Sequence, residues 1–365
     1  MSQAAPVLQP EATIGILGGG QLGRMLALDA ARLGFKCHVF APSPDSPAFD
    51  VVHRVTAADY TDTEALDRFA GDVDVVTYEF ENVPAETATF LAARVPVLPD
   101  PQVLATTQDR LVEKNFVTSL GFRTAAFAEV GAPEALAAAI ERVGRPAILK
   151  TRRFGYDGKG HATIRNGTDP AAAWRDVGGQ PCILEAFVPF EREVSVVAAR
   201  AHDGTVESFD VTENEHRDHI LKISRVPAAI SEATAREARR IAETIAQKFN
   251  YVGVLAVEMF VLRDGEILVN EIAPRVHNSG HWTLDGASIS QFEQHIRAIA
   301  GWPLGKPVRH GPVAMTNLIG DEILEYEQWL TVPGATVHLY GKGPPRPGRK
   351  MGHVTLLETG QAKTS

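Results

Sequence analysis

The chain opens with a short apolar run that leads directly into a glycine-rich turn. Thr13–Leu17 is a candidate buried strand, residues 18–23 read GGGQLG, and a helix-patterned stretch follows as far as Leu33. Residues 36–40 and 73–77 are further candidate strands with helical sequence between them. Strand alternating with helix is typical of a parallel sheet. The sequence therefore predicts an α/β, Rossmann-like N-terminal domain over residues 1–108.

The rest of the chain has a different pattern, which predicts α+β units. Residues 109–190 begin with a helix and contain a glycine-rich loop at 154–160, as expected for a small module. Residues 191–301 contain antiparallel strand patterns, a long helix and a final hairpin, which predict a larger unit. Residues 302–365 are richer in proline and glycine and predict a small β-rich C-terminal appendage.

Composition limits the possible partners. The formal net charge of −9 over 365 residues argues against nucleic acid, whose phosphates require a basic face. Any phosphate must therefore be bound by a few local cations. Cys37 and Cys182 lie in apolar, strand-like runs and are expected to be buried thiols. No run approaches the roughly 18 apolar residues of a membrane span, and the N-terminus lacks a secretory pattern, so a cytoplasmic location is expected.

The glycine-rich turn is ambiguous by itself. Gly18, Gly20 and Gly23 match the G-x-G-x-x-G pattern that lets a backbone approach a phosphate at a helix N-terminus. A dinucleotide site also needs an acid after the second strand, but residues 39–42 read VFAP. Nicotinamide binding is therefore disfavoured. A tight turn without a ligand and a turn facing a phosphorylated substrate both remain open.

The final hairpin carries two glutamates that are expected to face each other. If Asp264-Gly265 forms a two-residue turn, Glu258 lies directly opposite Glu271, with Cβ atoms about 5 Å apart. Like charges in this arrangement repel, so a cation is expected between them. Oxygen ligands that leave room for phosphate oxygens suit magnesium bound with a nucleotide. Alternatively, both glutamates face solvent, and a register slip of one residue would separate them.

A second group of residues predicts a nucleotide cradle. Lys150 ends an apolar strand, where its stem can be buried while its ammonium reaches a phosphate. The loop 154–160 follows, flanked by Arg152 and Arg153, and its glycines allow N–H groups to surround an anion. Glu185 and Glu193 bracket an apolar linker whose backbone could bind adenine. A hairpin turn with a solvated basic rim, and ordinary linker acids, are the alternatives.

A basic pair in the C-terminal region is the candidate for binding a substrate phosphate. Arg349 and Lys350 are adjacent within the glycine-bounded turn 348–352, where the backbone can approach an anion. The alternative is a solvated turn.

Six segments together resemble a known family. They read GILGGGQLGRM at 15–25, TYEFENVP at 77–84, GYDGKG at 155–160, ENEHRDHIL at 213–221, NEIAPRVHNSGHWT at 270–283 and GRKMGH at 348–353. The chain is similar to the ATP-grasp superfamily, and within it to the 5-(carboxyamino)imidazole ribonucleotide synthases of purine biosynthesis. Ala273 stands where most ATP-grasp enzymes are expected to have Asn, and this departure is typical of the synthase family. His161 stands where Gln is expected.

The resemblance implies an ATP-grasp fold with a pre-ATP-grasp domain, a dimer, and ATP with magnesium as cofactors. It assigns magnesium to Glu258 and Glu271. It assigns ATP contacts to Arg110, Lys150, Gly155, Tyr156, Asp157, Gly158, Lys159, Gly160, His161, Glu185, Ala186, Phe187, Val188, Glu193, His216, Asn270 and Glu271. The candidates for substrate binding are Gln21, Leu22, Glu79, Asn82, Tyr156, Asp157, Arg275, Asn278, Arg349 and Lys350.

The implied reaction joins 5-aminoimidazole ribonucleotide to bicarbonate, with ATP converted to ADP and phosphate. Lys150 would neutralise developing charge, Asp157 would orient the amine and Arg275 would hold bicarbonate. Because the chain ends at Ser365, a separate mutase is expected to act next. The rival functions are a formate-using glycinamide ribonucleotide transformylase, a nicotinamide-dependent oxidoreductase and a non-catalytic nucleotide-binding regulator.

Overall fold

The computed structural model describes residues 7–153 and 160–358. Its N-terminal region is a parallel four-stranded sheet with the strand order β3-β2-β1-β4. The predicted Rossmann-like pattern is therefore confirmed. The elements are β1 (Thr13–Leu17), α1 (Gln21–Arg32), β2 (Lys36–Ala41), a 3-10 turn (Pro47–Val51), β3 (Arg54–Ala57), α2 (Thr63–Gly71), β4 (Val75–Tyr78), α3 (Ala85–Ala92) and α4 (Pro101–Thr107).

A small module follows, built on an antiparallel sheet with the order β5-β8-β6-β7. It contains α5 (Arg110–Ser119), β5 (Phe127–Val130), α6 (Ala135–Val143), β6 (Ala147–Thr151), β7 (His161–Ile164), α7 (Pro170–Asp176) and β8 (Cys182–Ala186). Asp109 caps α5 by accepting hydrogen bonds from the N–H groups of Leu111 and Val112. Arg152 binds the same carboxylate through its Nε and Nη2 atoms, at 3.0 and 2.7 Å. The start of α5 is thereby tied to the end of β6.

The largest sheet has nine strands, in the order β14-β13-β9-β11-β12-β15-β17-β16, with β10 paired to β9. Its first part contains β9 (Arg192–Arg200), β10 (Val206–Ser208), β11 (Thr212–Arg217), β12 (Ile220–Val226), α8 (Glu232–Lys248), β13 (Gly253–Val261) and β14 (Ile267–Ala273). Ser231 caps α8, whose buried stripe includes Ala238, Ile241 and Ile245. This stripe packs in one apolar cluster with residues of β9 and β13.

The C-terminal strands complete the same nine-stranded sheet. The remaining elements are a 3-10 turn (Asn278–Gly280), α9 (Thr283–Gly286), α10 (Gln291–Ile299), β15 (Val313–Ile319), a second 3-10 turn (Gly320–Glu325), α11 (Glu327–Leu330), β16 (Ala335–Leu339) and β17 (Lys350–Leu357). The β-rich character of the C-terminal region is confirmed, and β15 joins it to β12 in register. The chain therefore combines α/β and α+β parts, as predicted.

Both cysteines are free and buried, as expected. Among the described residues no helix is both long and apolar enough to cross a membrane.

Candidate functional site

The predicted pairing of two glutamates on the final hairpin is confirmed. Glu258 on β13 lies directly opposite Glu271 on β14. The predicted two-residue turn is wrong, because the N–H of Leu262 donates to the carbonyl of Glu266 at 2.8 Å across a three-residue loop. The register changes by one residue between Glu258 and Met259. This β-bulge at Asn270 compensates for the longer loop and restores the pairing.

Each of these glutamates has a nitrogen-bearing partner on another element. The Oε1 atom of Glu258 lies 3.1 Å from Nε2 of His277, and Oε2 of Glu271 lies 3.2 Å from Nη1 of Arg110. Burial alone would raise the pKa of Glu258, but the hydrogen bond and charge of His277 lower it below its usual value. The carboxylate of Glu258 is therefore held in its ionised form, as a metal ligand requires.

This pair fits a magnesium ion bound together with a nucleotide. Both side chains offer only oxygen ligands, which is the donor type that magnesium prefers. Within residues 7–153 and 160–358, no group of three or more His, Cys, Asp or Glu side chains could hold a metal by itself. Magnesium usually completes its coordination with water and substrate phosphates. A site with two carboxylates is consistent with that mode of binding.

A buried cluster of charges lies between the small module and the hairpin. Glu185 on β8 accepts from Nζ of Lys150 on β6 at 2.8 Å, and Nζ of Lys114 on α5 lies 3.9 Å from the same oxygen. Burial would raise the pKa of Glu185, but the charges of Lys114 and Lys150 lower it to about 2. Its other oxygen is buried and has no hydrogen-bond partner among residues 7–153 and 160–358. The structure thus brings Lys150 and Glu185 together, as the predicted cradle requires.

The predicted glycine-rich loop is described only at its end. The candidates Gly155, Tyr156, Asp157, Gly158 and Lys159 lie outside the described residues. Gly160 has φ of +69°, and a Cβ atom there would lie 2.8 Å from Oγ1 of Thr151. His161 begins β7 opposite Lys150, and its ring packs edge-on against His219 at 5.1 Å. Glycine is therefore required where the loop rejoins the sheet.

Two backbone N–H groups at the start of the linker after β8 are already hydrogen-bonded within the protein. The N–H of Ala186 donates to the carbonyl of Ala126 at 2.8 Å, and the N–H of Phe187 donates to the carbonyl of Pro146 at 3.0 Å. These two N–H groups are therefore not open to an adenine edge. Phe187 itself is half exposed, and Val188 follows in the same linker.

Glu193 and His216 form an ion pair across neighbouring strands. Oε2 of Glu193 lies 2.6 Å from Nδ1 of His216. Burial lowers the pKa of His216, but the hydrogen bond and charge of Glu193 outweigh it and raise the pKa overall. The charge of His216 also acts on Glu258, so the pair lies on the same side of the sheet as the metal candidates.

The N-terminal glycine-rich turn already holds an anion of its own. Oε1 of Glu79, at the end of β4, accepts from the N–H of Gly20 at 2.7 Å. A Cβ atom at Gly18 would lie 2.5 Å from that oxygen. Burial raises the pKa of Glu79, although the hydrogen bond from Gly20 opposes this. A phosphate at this turn would meet a carboxylate, so the expectation of a phosphate-facing turn is not supported.

Two of the remaining substrate candidates, Arg275 and Asn278, have side-chain partners within the protein. Gln21 and Leu22 begin α1, where Leu22 is buried, and Asn82 lies in the loop after β4. Arg275 pairs with Glu81 of that loop, with Nη2 and Oε2 2.6 Å apart. Both polar atoms of the Asn278 side chain bond to the amide of Asn317, at 3.0 and 2.7 Å. Substrate binding by Asn278 would therefore require that pair to separate.

Arg349 and Lys350 lie at the start of β17. Nη1 of Arg349 donates to the carbonyl of Lys342 at 3.2 Å, and Nζ of Lys342 donates to the carbonyl of Lys350 at 2.8 Å. The charge of Lys350 contributes to lowering the pKa of Glu258. Lys350 is therefore within electrostatic range of Glu258, whereas the side chain of Arg349 contacts Lys342.

Sequence reasoning missed four titratable residues that contact the predicted site. They are Glu81, Glu113, Lys114 and His277. Glu113 and Lys114 are adjacent titratable residues on α5, with Val112 before them and Asn115 after them. Their partners lie more than 150 positions away along the chain, so no local pattern could identify them.

Comparisons with known proteins agree with this geometry. Residues 11–108 match the ribonucleotide synthetase preATP-grasp domain, 115–292 match the ATP-grasp domain, and 313–365 match the phosphoribosylaminoimidazole carboxylase C-terminal domain. The N5-carboxyaminoimidazole ribonucleotide synthase of Brucella melitensis is 51% identical over 96% of this chain and 98% of its own.

Solved structures extend the similarity to the whole fold. The N5-carboxyaminoimidazole synthetase of Staphylococcus aureus, complexed with ADP, has a TM-score of 0.93 and 37% identity, covering 97% of this chain and 95% of its own. The synthase of Aspergillus clavatus, in complex with ADP and 5-aminoimidazole ribonucleotide, has a TM-score of 0.88 and 33% identity, covering 95% and 94%. This chain therefore belongs to the N5-carboxyaminoimidazole ribonucleotide synthase family of ATP-grasp enzymes.

Proposed function

We propose that this chain is an ATP-dependent carbon–nitrogen ligase that carboxylates 5-aminoimidazole ribonucleotide with bicarbonate, in purine biosynthesis. The observation that carries the proposal is the position of Glu258 and Glu271 beside a buried set of cations. Arg110 contacts Glu271, and Lys114 and Lys150 contact Glu185. This arrangement suits a nucleotide triphosphate bound with magnesium.

The first step of the proposed reaction makes bicarbonate reactive. Bicarbonate is a poor electrophile, so the γ-phosphoryl group of ATP is transferred to it to form carboxyphosphate. Glu258 and Glu271 would hold magnesium, which neutralises charge on the phosphates during the transfer. Lys150 adds a fixed positive charge, and Arg275, oriented by Glu81, would hold the bicarbonate. Most of the catalysis is therefore positioning and electrostatic stabilisation.

The second step joins the carboxyl group to the exocyclic amine of the substrate. Carboxyphosphate, or carbon dioxide released from it, must meet the amine before it meets water. Closure of the loop that contains Tyr156 and Asp157 would exclude water at this stage, and Asp157 would orient the amine. Glu79 would accept from substrate hydroxyl groups, while Arg349 and Lys350 would bind its 5′-phosphate.

The proposal also covers the setting of the enzyme. We propose that the chain acts as a homodimer in the cytoplasm, without a nucleic-acid or membrane partner, and that a separate mutase converts its product.

The test is ADP release from ATP and magnesium in the presence of 5-aminoimidazole ribonucleotide. Release should depend on both the ribonucleotide and added bicarbonate, and the product should contain one carboxyl group from labelled bicarbonate. Formate with glycinamide ribonucleotide serves as the control for the neighbouring transformylase reaction. ADP release with formate, or release that does not respond to bicarbonate, would contradict the proposal.

A further inference from the structure

The strand that carries Glu271 contains one residue more than its neighbour. Met259 on β13 pairs with Val269, whereas Glu258 pairs with Glu271. Asn270 is thus the extra residue of a β-bulge, where two residues oppose one. The bulge lies immediately before the proposed metal ligand.

This bulge decides which face of the sheet Glu271 occupies. Side chains alternate between the two faces of a strand, so a shift of one residue moves a side chain to the opposite face. Without the bulge, the pairing of Met259 with Val269 would continue as Glu258 with Asn270. Glu271 would then lie opposite Val257, which is fully buried in the apolar core. The two glutamates would no longer face each other.

Helix α5 provides polar partners for the backbone around the bulge. Oε1 of Glu113 accepts from the N–H of Ile272 at 2.7 Å. Nζ of Lys114 donates to the carbonyl of Asn270 at 2.7 Å and to that of Val269 at 3.4 Å. These two side chains therefore bind the backbone on both sides of Glu271.

The position of β14 makes these contacts necessary. It is the edge strand of the nine-stranded sheet, so its outer N–H and C=O groups have no neighbouring strand. The N–H of Val269 is bound by the carbonyl of Arg123, and α5 covers the positions that follow. Glu113 and Lys114 are 3% and 2% exposed, so water cannot replace them there.

We propose that Glu113 and Lys114 are positioning residues that set the bulge at Asn270 and thereby hold Glu271 opposite Glu258. The inference rests on the proposed function, in which Glu271 binds magnesium together with the nucleotide. Glu113 acts through the backbone of β14. Lys114 does the same through the carbonyl of Asn270, and its Nζ atom also lies 3.9 Å from Glu185.

The test measures ADP binding by calorimetry with and without magnesium. In the unmodified chain, magnesium should tighten ADP binding about tenfold or more, the scale of one charge-assisted contact. Glu113→Leu removes the acceptor for Ile272, and Lys114→Met removes the donor to Asn270. Both variants should lose the magnesium-dependent gain. Glu113→Gln keeps an accepting oxygen and should retain it.

A second control separates positioning from general loosening of the helix. Val117 lies on the same helix, buried against the same core, and has no contact with the bulge through polar atoms. Val117→Ala should lower the thermal midpoint of unfolding but leave the magnesium-dependent gain in ADP affinity unchanged. If Glu113→Leu does not fold, Lys114→Met decides the question alone.

The outcomes separate this inference from the proposed function. The positioning role is supported if Glu113→Leu and Lys114→Met lose the magnesium-dependent increase in ADP affinity while Glu113→Gln and Val117→Ala retain it. A gain that persists in Lys114→Met, or that disappears equally in Val117→Ala, overturns it. If magnesium does not increase the ADP affinity of the unmodified chain, the result contradicts the proposed magnesium site and not the positioning role.

Discussion

Glu258 and Glu271 are directly opposed, and each has a separate partner. His277 contacts Glu258 through Oε1 and Arg110 contacts Glu271 through Oε2, so each of these contacts involves one of the two oxygens of its carboxylate. This is the residue-scale reason to expect that loss of either carboxylate affects phosphoryl transfer more than folding.

The first prediction is that Glu258→Gln or Glu271→Gln reduces turnover by roughly a hundredfold or more, as expected for lost transition-state charge stabilisation. The far-ultraviolet circular dichroism spectrum should not change. Glu207→Gln, on β10 and outside the site, should keep normal turnover. Near-normal turnover of the two site variants at saturating magnesium would rule out the metal assignment.

The second prediction concerns Arg349 and Lys350, whose side chains have different surroundings. The charge of Lys350 acts on Glu258, whereas Arg349 is held by the carbonyl of Lys342. Arg349→Ala should therefore raise KM for 5-aminoimidazole ribonucleotide while leaving KM for ATP nearly unchanged. A charge-assisted hydrogen bond of about 1.5–3 kcal/mol corresponds to about 10- to 150-fold.

The control for this prediction is a substrate analogue that lacks the 5′-phosphate. Steady-state rates should show that Arg349→Ala discriminates against the analogue less than the unmodified enzyme does. Equal discrimination by both enzymes would assign the phosphate to other residues.

At the scale of elements, the sequence was most informative where contacts are local. The glutamate pairing could be predicted because both strands belong to one hairpin, although the loop and the bulge were both missed and their effects cancelled. The bulge depends on Lys114, which is 156 positions away from Asn270. Contacts of this kind arise from packing of a helix on an edge strand, and local periodicity does not contain them.

The third prediction compares the two ends of β7. Gly160 and Gly167 have φ of +69° and +82°, but only at Gly160 would a Cβ atom collide, with Thr151. Alanine at either position costs about 1–2 kcal/mol of backbone strain. Because of that collision, Gly160→Ala should also raise KM for ATP about tenfold or more, the scale of one lost charge-assisted contact. Gly167→Ala should lower the thermal midpoint of unfolding without changing KM for ATP. Equal KM values for ATP in the two variants would contradict a role of residues 154–160 in ATP binding.

At the scale of the whole molecule, the site is assembled from segments far apart in the chain. Glu81 of the N-terminal region binds Arg275, and Lys350 of β17 acts on Glu258. Composition predicted that a chain of net charge −9 must bind any phosphate with a few local cations. Composition could not identify which lysines and arginines lie at the site, because that depends on which side chains the fold buries together. Glu79, for example, occupies the glycine-rich turn that sequence left open to a phosphate.

Burial of one histidine, His295, predicts how the stability of the chain depends on pH. His295 is fully buried, accepts from the N–H of Val254 through Nδ1, and lies 2.8 Å from Thr77 through Nε2. Burial lowers the pKa of His295 to about 3, so it is neutral in the folded chain. In the unfolded chain its pKa returns to about 6.5. Below pH 6.5 the unfolded state therefore binds a proton that the folded state excludes, and stability falls as the pH falls.

The fourth prediction isolates this contribution with His295→Gln. Between pH 7 and pH 5 the unmodified chain should lose about 2 kcal/mol more stability than the variant, because one histidine contributes about 1.4 kcal/mol per pH unit below pH 6.5. In the difference between the two chains, the contributions of groups that titrate in both cancel. One such group is Glu113, whose pKa is raised by burial and whose effect on the pH dependence of stability has the opposite sign. Urea unfolding at the two pH values provides the measurement. Equal losses in both chains would mean that His295 is protonated in the folded state, and that the hydrogen bond from Val254 to its Nδ1 atom is not formed.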